Sequence, residues 1–286
     1  MIYVGLTGWG DHPDVYSPNA RQKNKLIDYS AHFPIVELDS SFYAVQPERN
    51  IRKWIDETPN NFQFIVKAYQ GMTGHQRGEN PFESRDEMFD AYCKSIRPLK
   101  EADKLAMVLL QFPPWFDCTK ENVGQLQEII GRLEEFDLAV EFRHQSWYRG
   151  EMAEKTIEFL KSNRLIHSVC DEPQAGEGSI PFVPVPARED KVLIRLHGRN
   201  VHGWLNPGNT KKWREVRYLY DYNEEELTEI SQAIHELHKT VEQVYIVFNN
   251  NSGGHAAGDA KQFQAINDID YQGLAPKQLD LFEGEF

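Results

Sequence analysis

Val192-Leu193-Ile194-Arg195-Leu196-His197-Gly198 begins as an unbroken apolar run and ends with two polar residues placed two apart. A strand that is apolar from its first residue is buried on both faces, the condition of a parallel sheet covered by helices. Alternate residues of a strand point the same way, so Arg195 and His197 enter one compartment. The pattern recurs at residues 35–42, with Glu37 and Asp39, and at 138–143, with Glu141 and Arg143. Residues 3–9, 62–69, 105–112, 165–171 and 244–250 are further apolar, β-branched runs, with Lys67, Gln111, Asp171 and Asn249 late in theirs. An antiparallel sandwich would alternate from the first residue of each strand, and these runs do not.

Amphipathic segments lie between the runs. Val123, Leu126, Ile129, Ile130 and Leu133 repeat at helical spacing, as do Leu227, Ile230, Ile234 and Leu237, with Asn223 placed to cap the latter helix. Strands alternating with helices imply right-handed βαβ units and a parallel sheet. Eight units in 286 residues fit an α/β fold of the (β/α)8 TIM-barrel type, with functional groups at the C-terminal ends of the strands. The expected organisation is one barrel over residues 1–272 and a flexible tail over 273–286. Two segments depart from the repeat, the Gly-rich stretch 70–84 and the Pro- and Gly-rich stretch 172–187, both after strand ends where long loops tend to cover a site.

Composition excludes several classes. Lys and Arg number 31 against 44 Asp and Glu, a net charge of −13 that disfavours broad, sequence-blind DNA coating. Apolar residues at 40% and aromatics at 12% supply a sizeable core. The most nearly apolar stretch, 105–116, is too short for a membrane span and is broken by Gln111, Pro113 and Pro114. The opening residues have no basic signal region and read as a strand. Cys93, Cys118 and Cys170 form an odd set without CxxC spacing. That set suits a reducing cytoplasm and argues against a disulfide framework.

Gly8-Trp9, Val36-Glu37-Leu38-Asp39-Ser40-Ser41-Phe42-Tyr43, Leu110-Gln111-Phe112-Pro113-Pro114, Val140-Glu141-Phe142-Arg143 with Ser146-Trp147, Arg195-Leu196-His197-Gly198-Arg199 and Phe248-Asn249-Asn250 stand in this order along the chain. Together they resemble the YecE-like family, domain of unknown function 72, from Gly5 to about Phe263. The resemblance implies a TIM barrel and brings no particular activity with it. Where relatives often read Asn-Ala, this chain has Asp259-Ala260.

At the strand ends Glu37, Asp39, Glu141 and Asp171 are expected to converge. Carboxylates crowded away from water have their pKa values pushed apart, which suits acid–base catalysis. The same residues could instead close the barrel as an ion-pair lattice, Glu141 with Arg143 or Asp171 with Arg195. His197, an imidazole titrating near neutrality, is the best single candidate for proton transfer. Lys67, Arg143, Arg195 and Arg199 slightly favour an anionic ligand bearing phosphate. Trp9, Tyr43, Gln111, Asn249 and Asn250 are further candidates for holding it, the aromatics by stacking and the amides by hydrogen bonds. Glu37, Asp39, Glu141, Asp171, His144, His197 and Asn249 include ligand types for a divalent metal, but no metal motif occurs, and Lys67, Arg143 and Arg195 would repel a cation. A metal is therefore a disfavoured cofactor.

The expected function is that of a cytoplasmic enzyme of hydrolase or lyase type. It would act on an anionic, phosphate-containing substrate, in one version derived from nucleic acid. A second class of function comes from the tail, where Gln278-Leu279-Asp280-Leu281-Phe282 resembles the short peptide with which bacterial replication and repair proteins dock on the sliding clamp. In that alternative the protein is a non-catalytic accessory. Its Leu-Phe pair would fill an apolar pocket while Gln sets the register.

Overall fold

The computed structural model describes residues 1–16, 25–76, 78–205 and 216–277. Strands β1 (Ile2–Thr7), β2 (Ile35–Leu38), β3 (Gln63–Lys67), β4 (Leu105–Gln111), β5 (Leu138–Glu141), β6 (Ile166–Asp171), β7 (Lys191–Leu196) and β8 (Gln243–Phe248) form a closed barrel in chain order. Every pairing is parallel, and β1 closes on β8 with Ile2 opposite Val244 and Leu6 opposite Phe248. The fold is the expected TIM barrel.

The described helices are α1 (Lys25–Ser30), α2 (Ser40–Tyr43), α3 (Glu48–Asp56), α4 (Arg85–Glu101), α5 (Lys120–Arg132), α6 (Met152–Ser162), α7 (Val201–Leu205), α8 (Glu224–His238) and α9 (His255–Ile266). Their starts follow from local chemistry. The Ser84 and Thr119 side chains accept the first free amides of α4 and α5. Asn223 caps α8 as expected, in a reciprocal capping box with Glu226.

Several strands end earlier than the sequence pattern implies. β2 stops at Leu38 because the Ser41 hydroxyl donates to the carbonyls of Leu38 and Lys67, turning the chain into α2. A second departure lies between β6 and β7, where no helix forms. The Pro- and Gly-rich segment runs instead as irregular chain, burying Ser179, Ile180 and Ala187. Val185 within it accepts a hydrogen bond from His167 at 2.7 Å. Prolines cannot supply the amides a helix needs, so side chains on the strand take over the pairing.

Inside the barrel Ile35, Ile65, Met107, Leu109, Ala139, Ile166, Leu193, Tyr245 and Val247 fill the lumen. Outside it, Trp147 stacks on Phe142 at 3.8 Å and donates its indole N–H to the Phe116 carbonyl, which accounts for the Ser146-Trp147 motif as wall packing. The N-terminal end is closed by Arg188, Asp137, Asp190 and Lys191, with contacts of 2.5 to 2.8 Å. The C-terminal end holds the candidate site.

Candidate functional site

Above the apolar layers, the inward parity of the strands carries polar side chains. Glu37 from β2 receives a bidentate fork from Arg195 of β7, with contacts of 2.6 and 2.8 Å. The other nitrogen of that guanidinium reaches Glu141 of β5 at 2.5 Å and Gln111 of β4 at 3.5 Å. Glu141 also accepts from Arg143 at 3.0 Å. Side-chain exposure across this network is 2% or less for the two acids and two arginines. The expected convergence of Glu37, Gln111, Glu141, Arg143 and Arg195 is present, and the Glu141–Arg143 pair of the ion-lattice alternative forms.

His197 sits in the same layer, with Nδ1 2.8 Å from the Asn249 amide nitrogen and Nε2 3.5 Å from Glu141. Nε2 also meets Arg143 Nη1 at 3.4 Å, a group that can only donate. Burial pushes the imidazole down to about 3, a shift that Glu141 opposes. His197 is therefore neutral near pH 7 and does not titrate where the sequence places it. Burial alone would raise Glu141, but the Arg195 and Arg143 guanidiniums beside it prevail and hold that carboxyl well below the usual carboxylate range. Lys67 pairs with Asp39 at 2.7 Å at the edge of this layer. Burial opposes the ammonium's charge, yet Asp39 and Glu37 prevail and raise its pKa.

Strand β6 departs from the expected placement. Cys170 lies opposite Arg195 in the β6–β7 register, so Cys170 faces inward and Asp171 outward. The structure does not bring Asp171 to the cup. Its carboxylate pairs with Arg199 at 2.8 Å and accepts from Tyr222 at 2.7 Å, on the helix side of the barrel. Gly198, with φ +82°, makes the turn between His197 and Arg199, and a Cβ there would lie 2.5 Å from Tyr220. Asn250 also faces the helices and donates to Asp259 and to the Tyr220 carbonyl. Burial raises Asp259 to about 6. Trp9 packs edge-on against Trp54 of α3 at 5.1 Å, and Tyr43 stands 61% exposed on α2. His144 bonds Ser146, away from the network.

Inward parity on β6 instead delivers Glu172, which sequence reasoning passed over. Its Oε1 accepts from the Ile180 amide at 2.7 Å, and its Oε2 lies 3.2 Å from Arg143 Nη2. That last contact is out of line for a hydrogen bond. Nη2 and Oε2 are both buried, and neither has a hydrogen-bond partner among the described residues. Burial pushes Glu172 up to about 7 against the pull of Arg143 and the Ile180 amide. Arg143 in turn stacks over Trp204 of α7 at 4.8 Å, and Arg217 covers that indole at 3.9 Å.

Glu141, Cys170 and His197 place donor atoms within 4.8 Å of one another, the geometry of a metal cluster. The chemistry of these donors does not fit a cation. Both oxygens of Glu141 accept from guanidiniums, burial holds the Cys170 thiol well above its ordinary pKa and so protonated, and both His197 nitrogens are engaged.

A closed parallel eight-stranded barrel with a charged, desolvated layer at the C-terminal ends of its strands defines a TIM-barrel protein with a candidate site at that mouth. The chain belongs to the family described as "Protein of unknown function DUF72", which matches residues 3–280. It is 57% identical over 282 residues to UPF0759 protein YunF of Bacillus subtilis, covering 99% of this chain and 100% of that one. To UPF0759 protein YecE of Escherichia coli K12 it is 26% identical over 214 residues, 69% of this chain and 74% of that one. A crystal structure of a DUF72 family protein from Enterococcus faecalis superposes with a TM-score of 0.91 at 36% identity, covering 98% of this chain and 100% of that chain. One from Thermotoga maritima gives 0.79 at 33% identity, covering 94% and 100%. Among the described residues no helix is long and apolar enough to cross a membrane.

Proposed function

We propose that the mouth binds a small phosphate-bearing anion and carries out acid–base chemistry of hydrolase or lyase type on it. The observation that carries this reading is the buried pair of Arg143 Nη2 and Glu172 Oε2, 3.2 Å apart with no hydrogen bond to either among the described residues. A buried donor and acceptor left in this state are costly unless a ligand or water completes them. Lys67, Arg143 and Arg195 supply the cations that such an anion would meet in this layer.

In this reading Arg143 holds the anion, Glu37 and Glu141 fix Arg195, and Glu172 moves the proton. The two nearby acids, Glu141 far below and Glu172 at about 7, are driven apart as an ionised and a protonated partner. Neutral His197 packs between Glu141, Arg143 and Asn249 and holds this layer in place. The test is calorimetric titration with inorganic phosphate. Binding by the wild type and a loss of ten-fold or more in Arg143→Lys are expected, whereas a wild type that takes up no phosphate refutes the proposal. We place the action in the cytoplasm, because Cys93, Cys118 and Cys170 are all free thiols.

A second reading, an accessory protein docked on the sliding clamp, rests on the tail. Gln278, Leu279, Asp280, Leu281 and Phe282 lie outside the described residues. The stem before them is held to the barrel through Ala275, which donates to the Ser30 carbonyl at 3.1 Å, and reaches the surface at exposed Lys277. A clamp-binding peptide needs such a surface origin to meet a partner. A clamp pull-down with the Leu281→Ala, Phe282→Ala double variant decides this reading, since equal retention of both forms removes it.

A further inference from the structure

We infer that Trp204 is a positioning residue of the mouth: its indole fixes the plane of the Arg143 guanidinium, which turns Nη2 out of line with Glu172 and leaves it to a ligand. The consequence for ligand binding rests on the reading of the mouth as a phosphate site, and the positioning itself does not.

Arg143 is anchored in two ways. Its Nη1 donates to Glu141 at 3.0 Å, beside His197 Nε2 at 3.4 Å, and its guanidinium carbon lies 4.8 Å from the centre of the Trp204 ring. Contacts at one nitrogen leave a planar fork free to swing about that end, whereas a ring against its face fixes the plane as well. Nη2 then stands 3.2 Å from Glu172 Oε2 without a hydrogen bond, although both atoms are buried. A guanidinium beside a buried carboxylate otherwise turns to give a linear, charge-assisted bond, the stronger arrangement. The stack on the indole opposes that turn.

The indole is itself held by the chain around it. Asn200 accepts from the Gly203 amide at 3.0 Å and donates to the carbonyls of Val216 and Leu219 at 3.1 and 3.0 Å. These bonds staple α7 to residues 216–219. Gly203 permits the close approach, since a Cβ there would lie 2.4 Å from the Val216 carbonyl oxygen. The Arg217 guanidinium carbon lies 3.9 Å from the centre of the same indole, and Tyr218 meets it edge-to-face at 5.9 Å. Indole attracts cations more strongly than the other aromatic side chains, and burial of Trp204 keeps water from screening the attraction.

The experiment follows the carboxyl 13C titration of Glu172 and the calorimetric binding of inorganic phosphate. Both are measured on the full chain as wild type, Trp204→Phe and Trp204→Leu, with thermal unfolding as the folding control. In Trp204→Leu, Arg143 should turn and bond Glu172 in line. The Glu172 midpoint is then expected to fall by about 1 to 2 pH units, the worth of one hydrogen bond between charged groups. Phosphate affinity should fall about ten-fold or more as the donor is taken up. Trp204→Phe keeps a ring face and should hold the midpoint within about half a pH unit and the affinity within about three-fold of wild type. If Leu loosens the fold, Trp204→Met takes its place, filling more of the space without a ring. An unmoved Glu172 midpoint in the ringless variant overturns the inference, and so does a Phe variant that behaves like the ringless one. A midpoint that falls as expected, in a protein whose wild type takes up no phosphate, leaves the positioning standing and refutes the phosphate site alone.

Discussion

Both ends of this barrel are closed by ion pairs, and burial treats the two ends differently. At the N-terminal end Arg188, Asp137, Asp190 and Lys191 remain partly in water, with Asp137 and Asp190 about 40% exposed. Burial works against both acids there, but the hydrogen bonds from Lys191 and Arg188 prevail and hold them below the ordinary range. At the mouth the acids and arginines are stripped of water. One acid is driven far down and another is driven up to about 7. A guanidinium nitrogen and a carboxylate oxygen there have no hydrogen bond among the described residues. A lattice that only closes a barrel has every reason to resemble the first end. The second has divergent acidities and a buried ion pair without hydrogen-bond geometry, the two features on which the proposed acid–base role rests.

Removing a central cation should separate the two ends most sharply. Arg195→Leu leaves Glu37 and Glu141 buried without their shared partner, and we expect a loss of about 3–5 kcal/mol in denaturant unfolding. Arg188→Ala at the other end should cost no more than about 1 kcal/mol, because water replaces what is lost. Equal losses would erase the contrast.

Next in size is a pH effect. Glu172 holds its proton more tightly in the folded chain, at about 7, than in the unfolded chain, near 4.5. Between those values the folded state binds more protons, so this group makes the protein less stable as pH rises from 4.5 through 7. His197 and His167, lowered to about 3 and about 4, act oppositely, and their contribution grows as pH climbs toward 6.5. Glu172→Gln leaves the histidines in place. The difference between wild type and variant should therefore swing by up to about 3 kcal/mol over that window, the variant gaining as pH rises. A flat difference curve would put Glu172 back among ordinary carboxylates.

A smaller effect sharpens the boundary of the site. Asp171→Asn weakens the bonds to Arg199 and Tyr222 on the helix side and should lower stability by about 1–2 kcal/mol. Its phosphate affinity should stay at the wild-type value. A ten-fold drop in affinity would bring Asp171 back to the mouth.

The barrel was legible because eight runs share one physical pattern, apolar from the first residue and polar on alternate late positions. That pattern carried Glu37, Glu141, Arg143, Arg195, His197 and Asn249 to a common layer without any knowledge of contacts. It misplaced Asp171 because two acids, Asp171 and Glu172, stand side by side at the end of β6 and either parity looks reasonable. Only the pairing of Cys170 with Arg195 selects Glu172. Trp9 went astray for another reason, since its partner Trp54 lies on a helix that strand periodicity does not address. Trp204, which stacks with Arg143, and Arg217, which covers that indole, lie outside the strands, where no period announces which way a side chain points.

The most direct measurement is the carboxyl 13C titration of Glu172 and Glu141 by NMR in selectively labelled protein, assigned with Glu172→Gln and Glu141→Gln. A midpoint near 7 for Glu172, with Glu141 ionised down to strongly acidic pH, is the expected result. Two midpoints together near 4.5 would contradict the division of labour between these acids and, with it, the mouth as a site of proton transfer.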